Sequence, residues 1–488
     1  MWKTQVFFII FLYDRSLIVR EKKRKRGYHE RSMNAEIIPD TGITQQDCEK
    51  FRLVRKDDGS SQYFVTLKNN GGRCPCCGSY VTTIKEYKTK KIILDKGKTI
   101  IYRARRFVCE CGKTFFEENP FASERKKISD HLIRLILEAL KRYNHTYLEV
   151  ALQFGISVTE VIDIFDRHVQ IERKSLREVI SFDEFYFSRH SRNKYAFMII
   201  GLNGEILDIQ ESRHKDKLMD YFKYIPLSER NRVKYVTMDM YENYREIVQA
   251  RLKKAVIVID SFHVIKHVNE ALDKVRLEVL SRYAEDRKSD EYYLLKNKKY
   301  VLFKDELDDT YIRNNHFRMK MNETDYLNLI LKIDPKLNRA YQLMKKYYYF
   351  NHYWTDYTKE EALVFIEKYI DECHESGISS FIELSETLDN WKEEISNSFV
   401  PYKTHKGEIV RLSNGKIEGK NSYIKKMIRL ANGYDNFKRF RNRVMYCENL
   451  YEKYSEEPLT GKIKRDFPKK KKKEDKKKED KKNKEDKQ

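Results

Sequence analysis

The chain has no apolar run long enough to cross a bilayer, which takes about 20 residues. Residues 6–13 form one short apolar run, but Asp14 and Arg15 follow at once, with no small-residue cleavage site of a secretory signal. A membrane partner is therefore not expected. Acidic residues are in deficit, 75 Asp and Glu against 98 Lys and Arg, a formal charge of +23. That imbalance is unlike an ordinary metabolic enzyme and points to a polyanionic partner, because each neutralised phosphate releases counterions. Cysteine is scarce, eight in 488 residues, and four of the eight fall in two close pairs. Such pairs in a long basic chain read as a metal site in a reducing compartment, not as a disulfide framework.

At 488 residues the chain is long enough for about three domains, and the 40% of its residues that are hydrophobic can fill their cores. Residues 1–33 combine the apolar stub with a basic run at 20–26, which reads as a disordered arm or a start placed too far upstream, Met33 being the natural beginning. A first domain is expected over residues 34–122. In it Cys74-Pro75-Cys76-Cys77-Gly78 and Cys109-Glu110-Cys111-Gly112 supply two knuckles. Short strands are expected at 80–84, 99–102 and 103–108, so the knuckles sit at hairpin ends and form a zinc ribbon. Four thiolates make a closed tetrahedral site, which Zn2+ favours as a structural ion. Cys76 competes with Cys77, and the two-residue spacing selects Cys74 and Cys77 beside Cys109 and Cys111. Arg103, Arg105 and Arg106 on the last strand are candidate phosphate contacts.

Residues 123–175 read as helical. A helix over 128–143 is followed by two shorter ones separated at Gly155, the second capped by Ser157. Small Ala151 at the crossing and Ile156 in the turn fit a helix-turn-helix, with Ser157 and Thr159 as candidate DNA contacts. Residues 176–452 read as an α/β domain. Strands are expected at 179–187, 194–201, 205–210, 233–238 and 255–259, helices at 215–224 and 242–252, and a tight hairpin at Asn203-Gly204. The order β-β-β-α-β-α-β matches a ribonuclease-H-like mixed sheet, in which the first and fourth strands are neighbours. Asp183 and Asp239 then meet in space. Residues 264–405, poor in Gly and Pro, read as a helical insertion; the aromatic run 347–350 and Trp354 are candidates for a stacking surface or for helical core. The domain resumes with a helix on which Glu418, Asn421, Ser422, Lys425 and Arg429 share one face. That face is a carboxylate followed by a polar, cationic track, suited to metal and phosphate. A Lys/Glu/Asp-rich tail within 453–488 is expected to be disordered.

Taken in order, the two knuckles, the helix-turn-helix, Phe182-Asp183-Glu184-Phe185, Met238-Asp239-Met240, Asp260-Ser261-Phe262-His263, and Ser413-Asn414-Gly415 through Glu418-Gly419 to Asn432-Gly433-Tyr434 resemble the DDE transposases of the ISL-three family of bacterial insertion sequences. The resemblance spans roughly residues 40 to 455. It implies that Asp183, Asp239 and Glu418 are the catalytic acids and that they hold Mg2+ or Mn2+. Asp260 and His263 resemble an accessory Asp-x2-His motif, with Asp260 a rival of Asp239 for the second acid. The segment Leu252-Lys253-Lys254-Ala255 departs from the Pro-Asn turn of relatives, and residues 1–32 have no counterpart. The implied activity is binding of double-stranded DNA at element ends, metal-dependent strand cleavage, and strand transfer into target DNA in the bacterial cytoplasm at the nucleoid. Because two ends must be paired, a homodimer or larger synaptic complex is implied. Two other classes fit parts of the pattern: a DNA-binding protein that has lost catalysis, and a nuclease that cuts without joining.

Overall fold

The computed structural model describes residues 37–38, 41–123, 127–188, 193–404, 406–448 and 454–455. The apolar stub, the basic run and the Lys-rich tail lie outside the described residues. The chain divides into two compact units, Met1–Ile133 and Arg134–Gln488.

The first unit contains β1 (Cys48–Arg55), β2 (Ser61–Leu67), β3 (Gly72–Arg73), β4 (Tyr80–Val81), β5 (Ile84–Asp95), β6 (Lys98–Val108) and β7 (Thr114–Phe116). One sheet runs β1-β2-β6-β5, with β7 added on β6. β2 and β6 are parallel and β5 and β6 antiparallel. The strands expected at 99–102 and 103–108 are one strand, β6, and of the strand expected at 80–84 only Tyr80–Val81 forms, as β4, before the long β5 begins at Ile84. Ile92, Leu94, Ile100, Tyr102 and Ala104 bury one face of the β5–β6 ribbon. The first half of β5 is largely exposed on both faces and alternates charged residues with Tyr87 and Thr89, so it carries no hydrophobic alternation, although its backbone is paired with β6 apart from a register shift between Ile84 and Glu86.

One expectation is corrected here. Arg105 does not reach outward: its side chain is fully buried and paired with Glu117 (3.1 Å) and Glu49 (2.5 Å). A buried guanidinium needs carboxylate partners, and this one is committed to the unit's own structure. Arg106 is half-buried and pairs with Glu86 at 2.8 Å. Arg103 is exposed and lies over the Tyr87 ring at 4.1 Å.

α1 (Asp130–Leu140) straddles the division between the units. In the second unit α2 (Tyr147–Phe154) and α3 (Val158–His168) follow. Thr146 and Glu149 close a capping box at the start of α2, Gly155 ends it at φ 67°, and the Ser157 hydroxyl accepts from Glu160 N at 3.2 Å to start α3. The left-handed φ is what allows the reversal within so short a turn. Thr159, Asp163 and Arg167 are exposed on α3.

The central sheet is built from β8 (Val179–Tyr186), β9 (Tyr195–Gly201), β10 (Ile206–Gln210), β11 (Tyr235–Met238) and β12 (Val256–Ile259), with α4 (Lys215–Lys223) and α5 (Leu227–Arg230) before β11 and α6 (Glu242–Arg251) after it. Its order is β10-β9-β8-β11-β12. The first three strands form an antiparallel meander, and β8, β11 and β12 are parallel. Gly204 at φ 85° closes the β9–β10 hairpin, with Asn203 Oδ1 accepting from Glu205 N at 3.0 Å.

From β12 the chain enters α7 (Ser261–Ser281) and α8 (Asp290–Asn297), the small β13 (Ile312–Asn314) and β14 (Met319–Met321) hairpin, then α9 (Glu323–Ile333), α10 (Pro335–His352), α11 (Lys359–Glu375) and α12 (Ser379–Ser396). These helices share a single core with the sheet: Phe182 and Met238 belong to the same buried cluster as Leu272 of α7 and Leu388 and Trp391 of α12. The insertion is therefore folded onto the sheet and not tethered beside it. Tyr347 and Phe350 join that core, whereas Tyr349 is 67% exposed. The chain returns through β15 (Tyr402–Lys403) and β16 (Ile409–Val410) to α13 (Gly415–Leu430) and α14 (Phe437–Glu448). α14 packs Phe440 on Phe185 and Phe187 and pairs Arg441 with the buried Asp208.

Candidate active site and cysteine cluster

Register decides which acids meet. Ser181 of β8 lies opposite Thr237 of β11, and their hydroxyls are 2.6 Å apart. Two residues further along each strand, on the same face by the period of a strand, come Asp183 and Asp239. Met238 of β11 is opposite Ile259 of β12, so Asp239 and Asp260 leave the sheet side by side. Both parallel strands thus end in a carboxylate at the same edge, and α7 starts directly from Asp260.

Each acid is held by something other than another acid. Asp183 Oδ1 accepts from Glu184 N at 2.7 Å, and its Oδ2 accepts from the Asn421 amide on α13. His263 Nε2 sits 2.7 Å from Asp239 Oδ1. Asp260 is 2% exposed; its Oδ1 accepts from Asn414 N at 3.2 Å, while its Oδ2 has no hydrogen-bond partner. The nearest donor atoms of Asp260, His263 and Glu418 all lie within 4.8 Å of one another. The structure therefore brings Asp183 to Asp239, and Glu418 to Asp260 and His263, with His263 linking the two groups through Asp239.

Carboxylates outnumber cations in this cluster, with His263 the cation set against Asp183, Asp239 and Asp260. Burial, then the neighbouring Asp239, push the Asp183 carboxyl up to about 7. Burial likewise raises Asp260. Burial works against a charged His263, but the carboxylates of Asp239, Asp260 and Asp183 outweigh it and hold the imidazole above its ordinary value.

Asn414 is the residue the sequence reading quoted without a role. It is 1% exposed at the start of α13. Its Oδ1 accepts from Thr237 at 2.6 Å, its Nδ2 donates to Phe182 O at 3.2 Å, and its backbone N donates to Asp260. One side chain ties α13 to two strands, and Glu418 follows one turn later. No sequence signal marked this role, because the burial that requires such a group to be bonded is set by the fold.

Asn421 is a second correction. Expected on the exposed polar track, it is 7% exposed and turned toward Asp183. The helix face divides: Glu418 and Asn421 face the acids, while Ser422, Lys425 and Arg429 are exposed.

In the first unit Cys74, Cys77, Cys109 and Cys111 lie with all four Sγ atoms within 4.8 Å of one another. Cys74 and Cys111 are 3.6 Å apart and Cys77 and Cys109 3.5 Å, close to the roughly 3.8 Å that Zn–S bonds of 2.3 Å give in a tetrahedron. Hydrogen bonding to Ser79 holds the Cys77 thiol down to about 6. Cys76 is exposed and outside the group.

These features define a mixed α/β protein with a four-cysteine cluster in one unit and a carboxylate–histidine cluster at a sheet edge in the other. Residues 180–444, more than half of the chain, match the ISL3 family of DDE transposases, described as transposase, and the chain belongs to that family. It is also similar to the transposase for insertion sequence element IS1001 of Bordetella parapertussis, 25% identical over 240 residues. That match covers 46% of this chain and 59% of the relative. Among the described residues no helix is long and apolar enough to cross a membrane.

Proposed function

We propose that this transposase binds the ends of its insertion sequence and catalyses metal-dependent cleavage and strand transfer of DNA through Asp183, Asp239 and Glu418. The observation that supports the reading is the register that sets Asp183 beside Asp239, together with the grouping of Glu418 with Asp260 and His263, where a buried carboxylate oxygen of Asp260 is left without a hydrogen-bond partner. The strand order supports a ribonuclease-H-like domain over residues 176–452, interrupted at 264–405. An all-oxygen set of carboxylates suits a hard divalent ion such as Mg2+ or Mn2+. Ions held there would stabilise charge on the reacting phosphate and lower the pKa of the attacking hydroxyl. The chain's own groups do the positioning: Asn421 orients Asp183, His263 orients Asp239, and Asn414 sets the helix that carries Glu418. Lys425 and Arg429, exposed further along α13, meet the DNA backbone.

The four thiols hold structural Zn2+ in a zinc ribbon over residues 34–122. Residues 123–175 form a helix-turn-helix whose Ser157 and Thr159, together with Arg103 and Arg106, approach double-stranded DNA. Two ends are paired in a homodimer or larger synaptic complex at the bacterial nucleoid, in the cytoplasm.

The test is an excision assay in cells, with the gene and its native flanking DNA on a plasmid, wild type beside Glu418→Gln, and end binding followed by gel shift. Excision by wild type alone supports the reading and the third acid. Excision by both removes Glu418. Excision by neither, with end binding intact, favours a binding protein that has lost catalysis. Cleaved ends that never join a target favour a nuclease.

A second assignment of the middle ligand is supported by the grouping of Asp260, His263 and Glu418. In it Asp260 binds the ion and Asp239 serves to orient His263.

A further inference from the structure

The first turn of α7 has two functional sides. His263 turns toward Asp239 in the acid cluster. Phe262, one residue earlier and about 100° around the helix, is 54% exposed and stands edge-on to the His263 ring at 5.7 Å. It forms one wall of a cavity of about 370 Å³ that Ile265, Phe303, Tyr348 and Asn351 also line. A second cavity of about 500 Å³ shares Phe262, Ile265 and Phe303 and adds Lys266, Lys299 and Tyr300. Through these shared residues the two adjoin as one groove, aromatic on its walls, with Lys266, Lys299, Glu270 and Asp273 at one end and Asp305, Asn351 and His352 at the other. Tyr348, from the aromatic run the sequence suggested as a stacking surface, lines it, while its neighbours Tyr347 and Phe350 are core. The Tyr348 hydroxyl donates to Asn269 Oδ1 at 2.7 Å, and the Asn351 side-chain Oδ1 accepts from Arg411 at 2.8 Å, which leaves its Nδ2 to donate.

We propose that this groove takes an unstacked nucleobase of the DNA strand that lies across the acid cluster. The inference rests on the DNA-processing reading above. Its chemistry follows from the lining. A base offers a flat π face for Phe262 and Tyr348 and a polar edge for Asn351, Asp305 and His352. An aliphatic side chain would strip water from those three polar groups and return no hydrogen bond. The size lies at the lower end of small-ligand sites, about 300–1,000 Å³. Drawing a base out of the stack would hold the adjoining phosphodiester still beside Asp239 and Asp260, which is a positioning device and needs no reacting group.

The test uses the full chain and fluorescence anisotropy with two single-stranded probes, an oligothymidylate and the same oligomer carrying abasic sites. The expected result is tighter binding of the thymidylate by about 5- to 100-fold, a preference lost in Phe262→Ala and restored in Phe262→Trp. A 5-iodouracil probe should photo-cross-link to the peptide containing Phe262 or Tyr348. Phe262 is exposed, so thermal unfolding of Phe262→Ala should match wild type. Equal affinity for the two probes, a preference that survives Phe262→Ala, or cross-links confined to other segments would overturn the proposal. So would loss of self-association in Phe262→Ala with base preference intact, which would make the groove a contact between copies. None of these readouts needs catalysis. Excision with no base preference therefore sinks only the groove, and base preference with no excision sinks only the catalytic reading.

Discussion

The Asn421 side-chain amide donates a hydrogen bond to the Asp183 carboxylate, joining α13 to β8 across 238 positions of sequence. The bond occupies the Asp183 oxygen opposite the one held by Glu184 N. The two bonds fix the orientation of an acid that the proposed function makes a metal ligand. Asn421→Ala should lower strand cleavage about 10- to 100-fold, the usual effect of removing a group that orients a metal ligand. Raising Mn2+ should recover part of the loss, and end binding in a gel shift should be unchanged. Unaltered cleavage in Asn421→Ala would remove the residue from the site.

Asp239 and Asp260 leave neighbouring strands at the same level, and amide substitution separates their roles. Asp239→Asn should abolish cleavage of an end-containing duplex, whereas Asp260→Asn should leave measurable activity. The reverse pattern would make Asp260 the ligand and Asp239 the partner of His263.

The cysteine cluster predicts a stoichiometry. Purified wild-type chain should carry one zinc per molecule by atomic emission, and Cys76→Ser should keep it, because Cys76 is exposed and outside the group. Cys77→Ser should lose it and should lower the thermal stability of the first unit. Zinc retained by Cys77→Ser and lost by Cys76→Ser would reverse the choice between the two.

Arg105 and Arg103 are two residues apart on one strand and predict opposite behaviour. Arg105→Met leaves Glu117, whose side chain is only 9% exposed, without its ion partner, and should destabilise the first unit by about 3–5 kcal/mol in denaturant unfolding. Arg103→Ala should change stability by less than about 0.5 kcal/mol and should weaken DNA binding with a reduced salt slope. Equal destabilisation by both would contradict the burial difference.

Glu229 gives a pH prediction in the second unit. Hydrogen bonds from the Arg173 guanidinium hold its carboxyl below the usual range, against burial, and Leu176 N adds a further bond at 2.7 Å. A depressed carboxylate contributes stability that is full above the ordinary value of about 4.3 and is lost as pH falls through the lower folded value. Glu229→Gln should therefore lower the melting temperature at pH 7, and the difference from wild type should shrink below about pH 4. A difference independent of pH would mean that Glu229 acts by packing alone.

Local signals of period and punctuation carried much of this architecture. Alternating and continuous apolar runs marked the five central strands to within a few residues, because burial on one or both faces writes itself directly into residue type. Gly155, Asn203-Gly204 and Ser157 marked turns and caps through backbone chemistry that needs no tertiary partner. The paired cysteines could be grouped from spacing, since a tetrahedral thiolate site constrains the chain locally.

Contacts between distant segments decided the rest. β1 and the first half of β5 were not legible, because strands that are largely exposed and rich in charge have no one-sided hydrophobic period to read, whereas β2 does carry that period in Tyr63 and Val65. The fates of Arg103, Arg105 and Arg106 depended on which face of β6 meets Glu117 and Glu49. Asn421 looked like one more polar residue on a helix face until α13 was placed against β8. Asn414 acquired its role only when Thr237, Phe182 and Asp260, from three separate segments, converged on it. Residue types alone settled which groups could do the chemistry and where the five central strands and the capped turns fall, since those follow from each residue's own solvation and backbone preferences. Which acids share an edge, which amide holds them, and which arginine is left for a partner were decided only by the tertiary structure, because hydrogen bonds and ion pairs between remote segments exist only once the sheet register and the helix packing are set.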